Sequence, residues 1–154
     1  MPTNSNSIVL DTSCLILLTK IDEIRLIKLP EVKVFTTPQV FKEFKEPLPT
    51  WVHIKDPPKK RFQKVLQMNI DVGEASAIAL ATKIDKSILI IDDLKGRKIA
   101  ENLKIRYSGT LGLIIQAKRE GIIETVKPIV NKIEKTNFRI DRKLLLTVLE
   151  QAGE

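Results

Sequence analysis

The chain has 154 residues, of which 43% are hydrophobic, enough for one domain with a real core. It carries 26 Lys and Arg against 19 Asp and Glu, a formal net charge of +7, and its 29% charged residues fall in no low-complexity tract, which argues against a disordered chain. Its uninterrupted aliphatic runs, such as Ile88 to Ile91, are far shorter than the ~20 apolar residues that span a bilayer. Met1 to Ser7 has no basic residue and no apolar stretch, so no secretory leader is read there. One cysteine, Cys14, excludes an internal disulfide and any multi-cysteine metal site. The expectation is a soluble, cytoplasmic, single-domain protein with no membrane partner.

Ser7-Ile-Val-Leu10 is an apolar run stopped by Asp11, and Cys14 to Ile21 is a second. A buried strand leading into a helix accounts for both, with Thr12 or Ser13 near the N-cap. Val32 to Phe35 reads as another strand. Thr37-Pro38 opens a helix with proline in its first turn, and Val40, Phe41 and Phe44 supply its apolar face. Pro47 to Pro58 holds four of the eight prolines and reads as a loop around a short strand, Trp51 to Lys55, before a helix over Lys59 to Met68. Asp71-Val-Gly-Glu74 opens a helix over Ala75 to Ile84 whose alanines allow close packing.

Ser87 to Ile91 is an aliphatic, β-branched run of the kind buried on both faces, and it stops at Asp92-Asp93. A helix follows over Lys95 to Leu103, then a short strand over 104–107. Ser108-Gly109-Thr110 caps a helix running to Glu120, which Gly121 ends. The tail reads as two helices, Thr125 to Lys135 and Asp141 to Gln151. Strands alternating with helices specify an α/β fold with a parallel sheet covered on both faces.

Positive charge is uneven: residues 1–94 carry 13 basic and 12 acidic side chains, residues 95–154 carry 13 and 7. A basic half suits a polyanionic partner, nucleic acid ahead of membrane, because phosphates release counterions when Lys and Arg neutralise them. A lysine-rich solvated surface explains the same excess.

The acids are more informative. Asp11 directly follows one buried strand, and Asp92 and Asp93 follow another. Ligands of open parallel sheets bind beyond the carboxyl ends of the strands, so these positions bring like charges into one cleft. A bound cation would relieve their repulsion. Carboxylates with a lone histidine and a lone cysteine favour Mg²⁺ or Mn²⁺ over zinc. Each acid also has a purely structural reading. Asp11 and Asp93 suit helix N-caps, Glu74 suits a capping box begun by Asp71, and Glu43 between Phe41 and Phe44 suits an exposed helix position. His53 beside Trp51 reads as hydrogen-bonded or exposed, and Cys14 as a buried thiol. No phosphate-binding glycine loop supports a triphosphate or dinucleotide enzyme. Asp11-Thr-Ser also lacks the Asp-x-Asp start of haloacid-dehalogenase-like phosphatases.

In order, Asp11-Thr-Ser after a strand, Glu43 in the helix after Thr36-Thr-Pro-Gln, Gly73-Glu74-Ala-Ser-Ala-Ile, Ile91-Asp92-Asp93 before a helix and Gly109-Thr110-Leu-Gly-Leu resemble the acidic motifs of PIN domains. The resemblance covers residues 8 to about 122. It implies a three-layer α/β/α sandwich with a central parallel sheet, as one domain over 1–154 with 123–154 a helical C-terminal extension. It also implies a ribonuclease site holding one or two Mg²⁺ or Mn²⁺ ions. Carried over by position, Asp11, Glu43 and Glu74 match the first three catalytic acids. The fourth is Asp93 with Asp92 as helper, or Asp92 itself, and the ligand set is Asp11, Glu74, Asp92 and Asp93. Thr12 and Thr110 match minor polar positions, such as those that hold a water. Two positions depart from the commoner pattern: Glu74 stands where many members have Asp, and Ile91 where many have Thr or Ser.

The resemblance further implies endonuclease action leaving a 5′-phosphate and a 3′-hydroxyl. Many small members are VapC-like toxins silenced by a small antitoxin, which here would lie over the acidic cleft. Lys95, Arg97, Lys98, Arg106, Lys118 and Arg119 are the candidate RNA-backbone contacts, with a solvated surface as their alternative. Leu15 to Leu18 and Leu26 to Leu29 offer a homodimer face, or serve as core. Two other classes compete. A non-catalytic module could bind RNA or a partner on the same fold. A receiver-like signalling domain would carry an acidic pair at its first strand and a lone Asp near the centre, whereas this chain has one Asp first and the pair late.

Overall fold

β1 (Ser7–Leu10) and β4 (Ser87–Ile90) run parallel at the centre of the sheet, with Ile8 opposite Ile88 and Leu10 opposite Ile90. Every residue of both strands is buried, so their sequences read as continuous runs rather than alternation. β2 (Lys33–Thr36) pairs with β1 and β3 (Val52–Ile54) with β2, while β5 (Tyr107–Ser108) pairs with β4. The computed structural model describes residues 5–154, and among these the sheet has five strands, all parallel, in the order β3-β2-β1-β4-β5. The first four residues of the segment searched for a leader, Met1 to Ser7, lie outside the described residues.

Strand side chains alternate between two helical layers. Ile8, Leu10, Ile88 and Ile90 pack against α1 (Thr12–Lys20), a 3-10 turn (Ile24–Ile27), α2 (Pro38–Phe44), α6 (Thr110–Arg119), α7 (Lys127–Glu134) and α8 (Arg142–Gln151). Val9, Leu89 and Ile91 pack against α3 (Lys60–Leu66), α4 (Val72–Ala81) and α5 (Leu94–Asn102). The result is an α/β/α sandwich in which each fully buried aliphatic side chain contributes roughly 1.5–3 kcal/mol. Among the described residues no helix is long and apolar enough to cross a membrane.

Helix starts at the carboxyl edge of the sheet are fixed locally. The Thr37 hydroxyl accepts the Val40 N–H at 3.1 Å, and Pro38 occupies the first turn of α2. Asp71 accepts the Glu74 N–H at 2.8 Å and Asp93 the Gly96 N–H at 3.1 Å. Gly121, with φ 78°, closes α6 in the left-handed region.

The structure bears on three of the expectations. Of the N-cap readings for α1, Asp11 holds the position, extended at φ −87° and ψ 165° with no side-chain capping bond, and Thr12 follows as the first helical residue. The strand expected over 104–107 pairs at Tyr107–Ser108, because Lys104 adopts φ 58° to end α5 and the chain needs two further residues to re-enter the sheet. Leu15, Leu17, Leu18, Leu26, Ile27 and Leu29 are buried in the core, the alternative read for these stretches, while Ile16 among them is 40% exposed.

Candidate functional site

The carboxyl ends of β1 and β4 deliver Asp11 and Asp92-Asp93 to one edge, and the first turn of α4 places Asp71 and Glu74 beside them. Asp11 is 3% exposed, and its carboxyl is pushed up to about 7. Burial is the main cause; the Thr12 backbone N–H opposes it, and the charges of Asp71, Glu43 and Asp92 add to it. Glu74 is pushed up to about 8, first by burial and then by the facing Asp71 carboxylate, with Asp11 and Asp93 contributing. Its Oε2 is buried with no hydrogen-bond partner. Glu74 therefore does not complete a capping box; Asp71 caps it, and its own carboxyl turns into the crevice.

Glu43 is clasped from two elements. Its Oε2 accepts the Thr12 hydroxyl at 2.8 Å and its Oε1 the Gly73 N–H at 2.9 Å. A Cβ at Gly73 would stand 2.5 Å from Glu43 Oε2 and displace the carboxylate. Beneath it the Thr37 and Ser76 hydroxyls bond at 2.6 Å, and Ser76 donates to the Gly73 carbonyl at 2.7 Å. This chain of bonds fixes α2 against α4 and holds the Glu43 carboxylate at the crevice.

Asp92 is equally engaged. It accepts the Thr110 N–H at 2.9 Å on Oδ1 and the Thr110 hydroxyl at 2.5 Å on Oδ2. Arg97 Nη2 lies 3.7 Å from Asp92 Oδ1, its Nε donates to the Ile91 carbonyl at 2.9 Å, and its guanidinium sits 5.8 Å from the Tyr107 ring centroid. A side chain at Gly109 would collide with Arg97 and stand 2.7 Å from Asp92 Oδ1. Thr12 and Thr110 thus act on carboxylates, one on Glu43 and one on Asp92.

The structure gathers Asp11, Glu43, Glu74, Asp92, Asp93, Thr12, Thr110 and Arg97 at this edge. It adds Asp71, which sequence reasoning assigned only to capping; its position one turn before Glu74 was the available signal. Lys95 and Lys98 are exposed on α5, which begins at the crevice. Three candidates lie elsewhere. Arg106 precedes β5 and lines a pocket with Asp85, Lys86 and Lys104 at the opposite edge of the sheet. Lys118 and Arg119 end α6, roughly 12 Å along the helix from Thr110. Lys118 there bonds Glu154 at 2.9 Å and the Ala152 carbonyl. His53 is exposed beside the Phe35 ring, and the Cys14 thiol is buried and pushed up by burial, which leaves it inert.

Among the described residues no group of three or more Asp, Glu, His or Cys side chains is arranged to hold a metal ion. The donor set is nonetheless one a divalent cation fits: carboxylate oxygens only, an orphaned buried Oε2 on Glu74, and two acids whose charges lack a counter-charge.

A parallel α/β/α sandwich with carboxylates at its strand ends is an α/β protein whose ligand site lies beyond the carboxyl edge. The family follows from sequence comparison: residues 7–154 match the model of the DUF3368 family, a PIN domain, and the chain belongs to the PIN-domain family. PIN domains are generally nucleases and typically use divalent metals. A search of curated proteins finds no match.

Proposed function

We propose that this chain is a metal-dependent endoribonuclease and the toxin of a toxin–antitoxin pair. The observation that carries the nuclease reading is the strained pair Asp11 and Glu74. Two buried or half-buried carboxyls are pushed to about 7 and about 8 by burial and by the neighbouring carboxylates. Asp11, Glu74, Asp93 and Asp92 are the residues that would hold Mg²⁺ or Mn²⁺, and Glu43 completes the ring. When bound, the ion neutralises phosphate charge and raises the acidity of the attacking water.

The protein's own part is positioning. Thr12 and Gly73 hold Glu43, Thr110 and Arg97 hold Asp92, and burial holds Asp11 rigid at the end of β1. Lys95 and Lys98, exposed on α5, would contact phosphates flanking the cleaved bond; such contacts position a strand without reading its sequence. As a toxin the chain would be silenced by a small antitoxin segment lying over the carboxylates, with an Arg pairing them.

The test is incubation of the purified protein with structured and single-stranded RNAs in Mg²⁺, Mn²⁺ or EDTA, beside Asp11→Asn. The expected result is metal-dependent cleavage to 5′-phosphate products that the substitution lowers by more than about 100-fold. Folded protein that binds Mn²⁺ neither at Asp11 nor elsewhere in the crevice, and cuts nothing, would make it a binding module.

A further inference from the structure

The cations expected to guide RNA are partly committed within the fold, Arg97 to Asp92 and Lys118 to Glu154. A second set is not. α3 turns Phe62, Gln63 and Leu66 inward and leaves Arg61, Lys64 and Val65 outside, with Met68 one turn further on. At 3.6 residues per turn these four positions share one stripe. Val65 is 56% and Met68 80% exposed. At the far end of the stripe, the Lys59 ammonium lies against that of Lys83, just past α4, and holds Lys83 below the usual lysine range. No carboxylate among the described residues pairs with Lys59, Arg61, Lys64 or Lys83. At the near end the chain passes through 67–70 to Asp71 and the exposed Val72, at the mouth of the acidic crevice.

We propose that this stripe is a binding path for single-stranded RNA, leading the strand from the crevice along the outer face of α3 to the Lys59–Lys83 pair. The inference rests on the ribonuclease reading and assigns that site its flanking strand. Two adjacent ammonium groups repel, and a phosphate between them removes the repulsion. Val65 and Met68 present apolar and polarizable surface that unpaired bases can cover, which a duplex with its bases inside cannot use. The ten residues of α4 span about 15 Å, so the path holds roughly four stacked nucleotides. It also balances the site, because a crevice of carboxylates repels the phosphates it must receive unless cations stand beside the approach.

The experiment titrates the whole protein, in EDTA so that nothing is cut, into fluorescein-labelled single-stranded RNA of about 12 nucleotides and follows anisotropy. Arg61→Gln with Lys64→Gln is expected to weaken binding about tenfold and to lower the salt slope by roughly 1.4, the value for two lost single-strand phosphate contacts. Val65→Ser with Met68→Ser is expected to weaken binding with the slope unchanged. All four side chains are exposed, and melting curves check that the variants fold. Affinity and slope equal to wild type in the Arg61/Lys64 variant overturn the path and assign the stripe to a protein surface. The ribonuclease reading is scored apart, on metal-dependent cleavage by the chain with α3 unchanged, beside Asp11→Asn. Cleavage intact with binding unchanged by the substitutions sinks the path alone; cleavage absent with α3-dependent binding sinks the nuclease and keeps the path.

Discussion

The Glu43 carboxylate sits directly on the backbone of Gly73, accepting its N–H at 2.9 Å from 30 positions earlier in the chain. Within a helix, Gly→Ala ordinarily stabilises by up to ~1 kcal/mol. Here the added Cβ would lie 2.5 Å from Glu43 Oε2 and 2.8 Å from its carboxyl carbon Cδ, so the carboxylate must leave. Gly73→Ala is therefore expected to destabilise by about 1–2 kcal/mol, against its helix propensity, and to lower cleavage at least about tenfold. Urea unfolding checks the sign. A variant more stable than wild type would show that the Glu43–Gly73 contact does not constrain α2.

The metal-free protein should lose stability as pH rises. An unfolded Asp or Glu ionises near its ordinary 3.8 or 4.5, whereas Asp11 and Glu74 in the folded chain hold their protons to about 7 and about 8. Across that window the folded state binds more protons than the unfolded one, so stability present at pH 4–5 is lost towards pH 8. Mg²⁺ should raise Tm more at pH 7.5 than at pH 5.5, because only the ionised carboxylates gain from it. Asp11→Asn should stabilise the metal-free protein at pH 7.5 by on the order of 2 kcal/mol and flatten the pH slope. Differential scanning calorimetry at both pH values, with and without Mg²⁺, decides it; a slope of opposite sign would refute the electrostatic account.

The layered fold and the acids at strand ends were legible because burial on both faces writes itself as uninterrupted aliphatic runs, and Asp11 and Asp92 interrupt two of them. What holds the acids was not legible. Glu43 looks like any exposed helical Glu until α2 is docked on α4, and nothing local to it announces Thr12 or Gly73. Asp71 was hidden behind a sufficient explanation, its cap on Glu74. Charge counts along the chain also carried no sense of which end of an element a cation occupies. They grouped Arg106 and Lys118 with Lys95, though the first lies at the opposite sheet edge and the second at the far end of α6. The same counting passed over α3, whose cations fall in the half of the chain that is nearly neutral overall.

Arg97 and the Lys95–Lys98 pair should separate cleanly in experiment, although the three lie within four residues. Arg97 is tied to Asp92, to the Ile91 carbonyl and to the Tyr107 face. Arg97→Gln should cost about 1 kcal/mol of stability and lower cleavage by loosening Asp92, with RNA affinity in EDTA little changed. Lys95→Gln with Lys98→Gln should leave the melting temperature unchanged, weaken RNA binding and lower the salt slope by roughly 1.4. Thermal melts and salt-dependent titrations on both variants make the comparison. An Arg97 variant that loses salt slope without losing stability would restore it to the RNA-contact role the sequence suggested.

Val126, the residue before α7, gives that helix no side-chain cap, and Glu154 provides one from beyond α8. Its carboxylate accepts the Val126 N–H at 2.7 Å and the Lys127 N–H at 3.1 Å, and takes the Lys118 ammonium at 2.9 Å. Those donors, with the Val126 N–H first, hold the group down to about 2. A depressed carboxyl stabilises above its ordinary pKa and loses that contribution only as pH falls through the folded value, so the clasp persists through neutral and mildly acid conditions. Glu154→Gln keeps the shape but removes the charge that the helix N-terminus and Lys118 both favour. It should raise amide exchange at Val126 and Lys127 and through α8, while amides of β1 and β4 at the sheet centre keep their protection. Exchange equal to wild type at Val126 would show that α7 holds its first turn by packing of Ile129, Val130 and Ile133 alone.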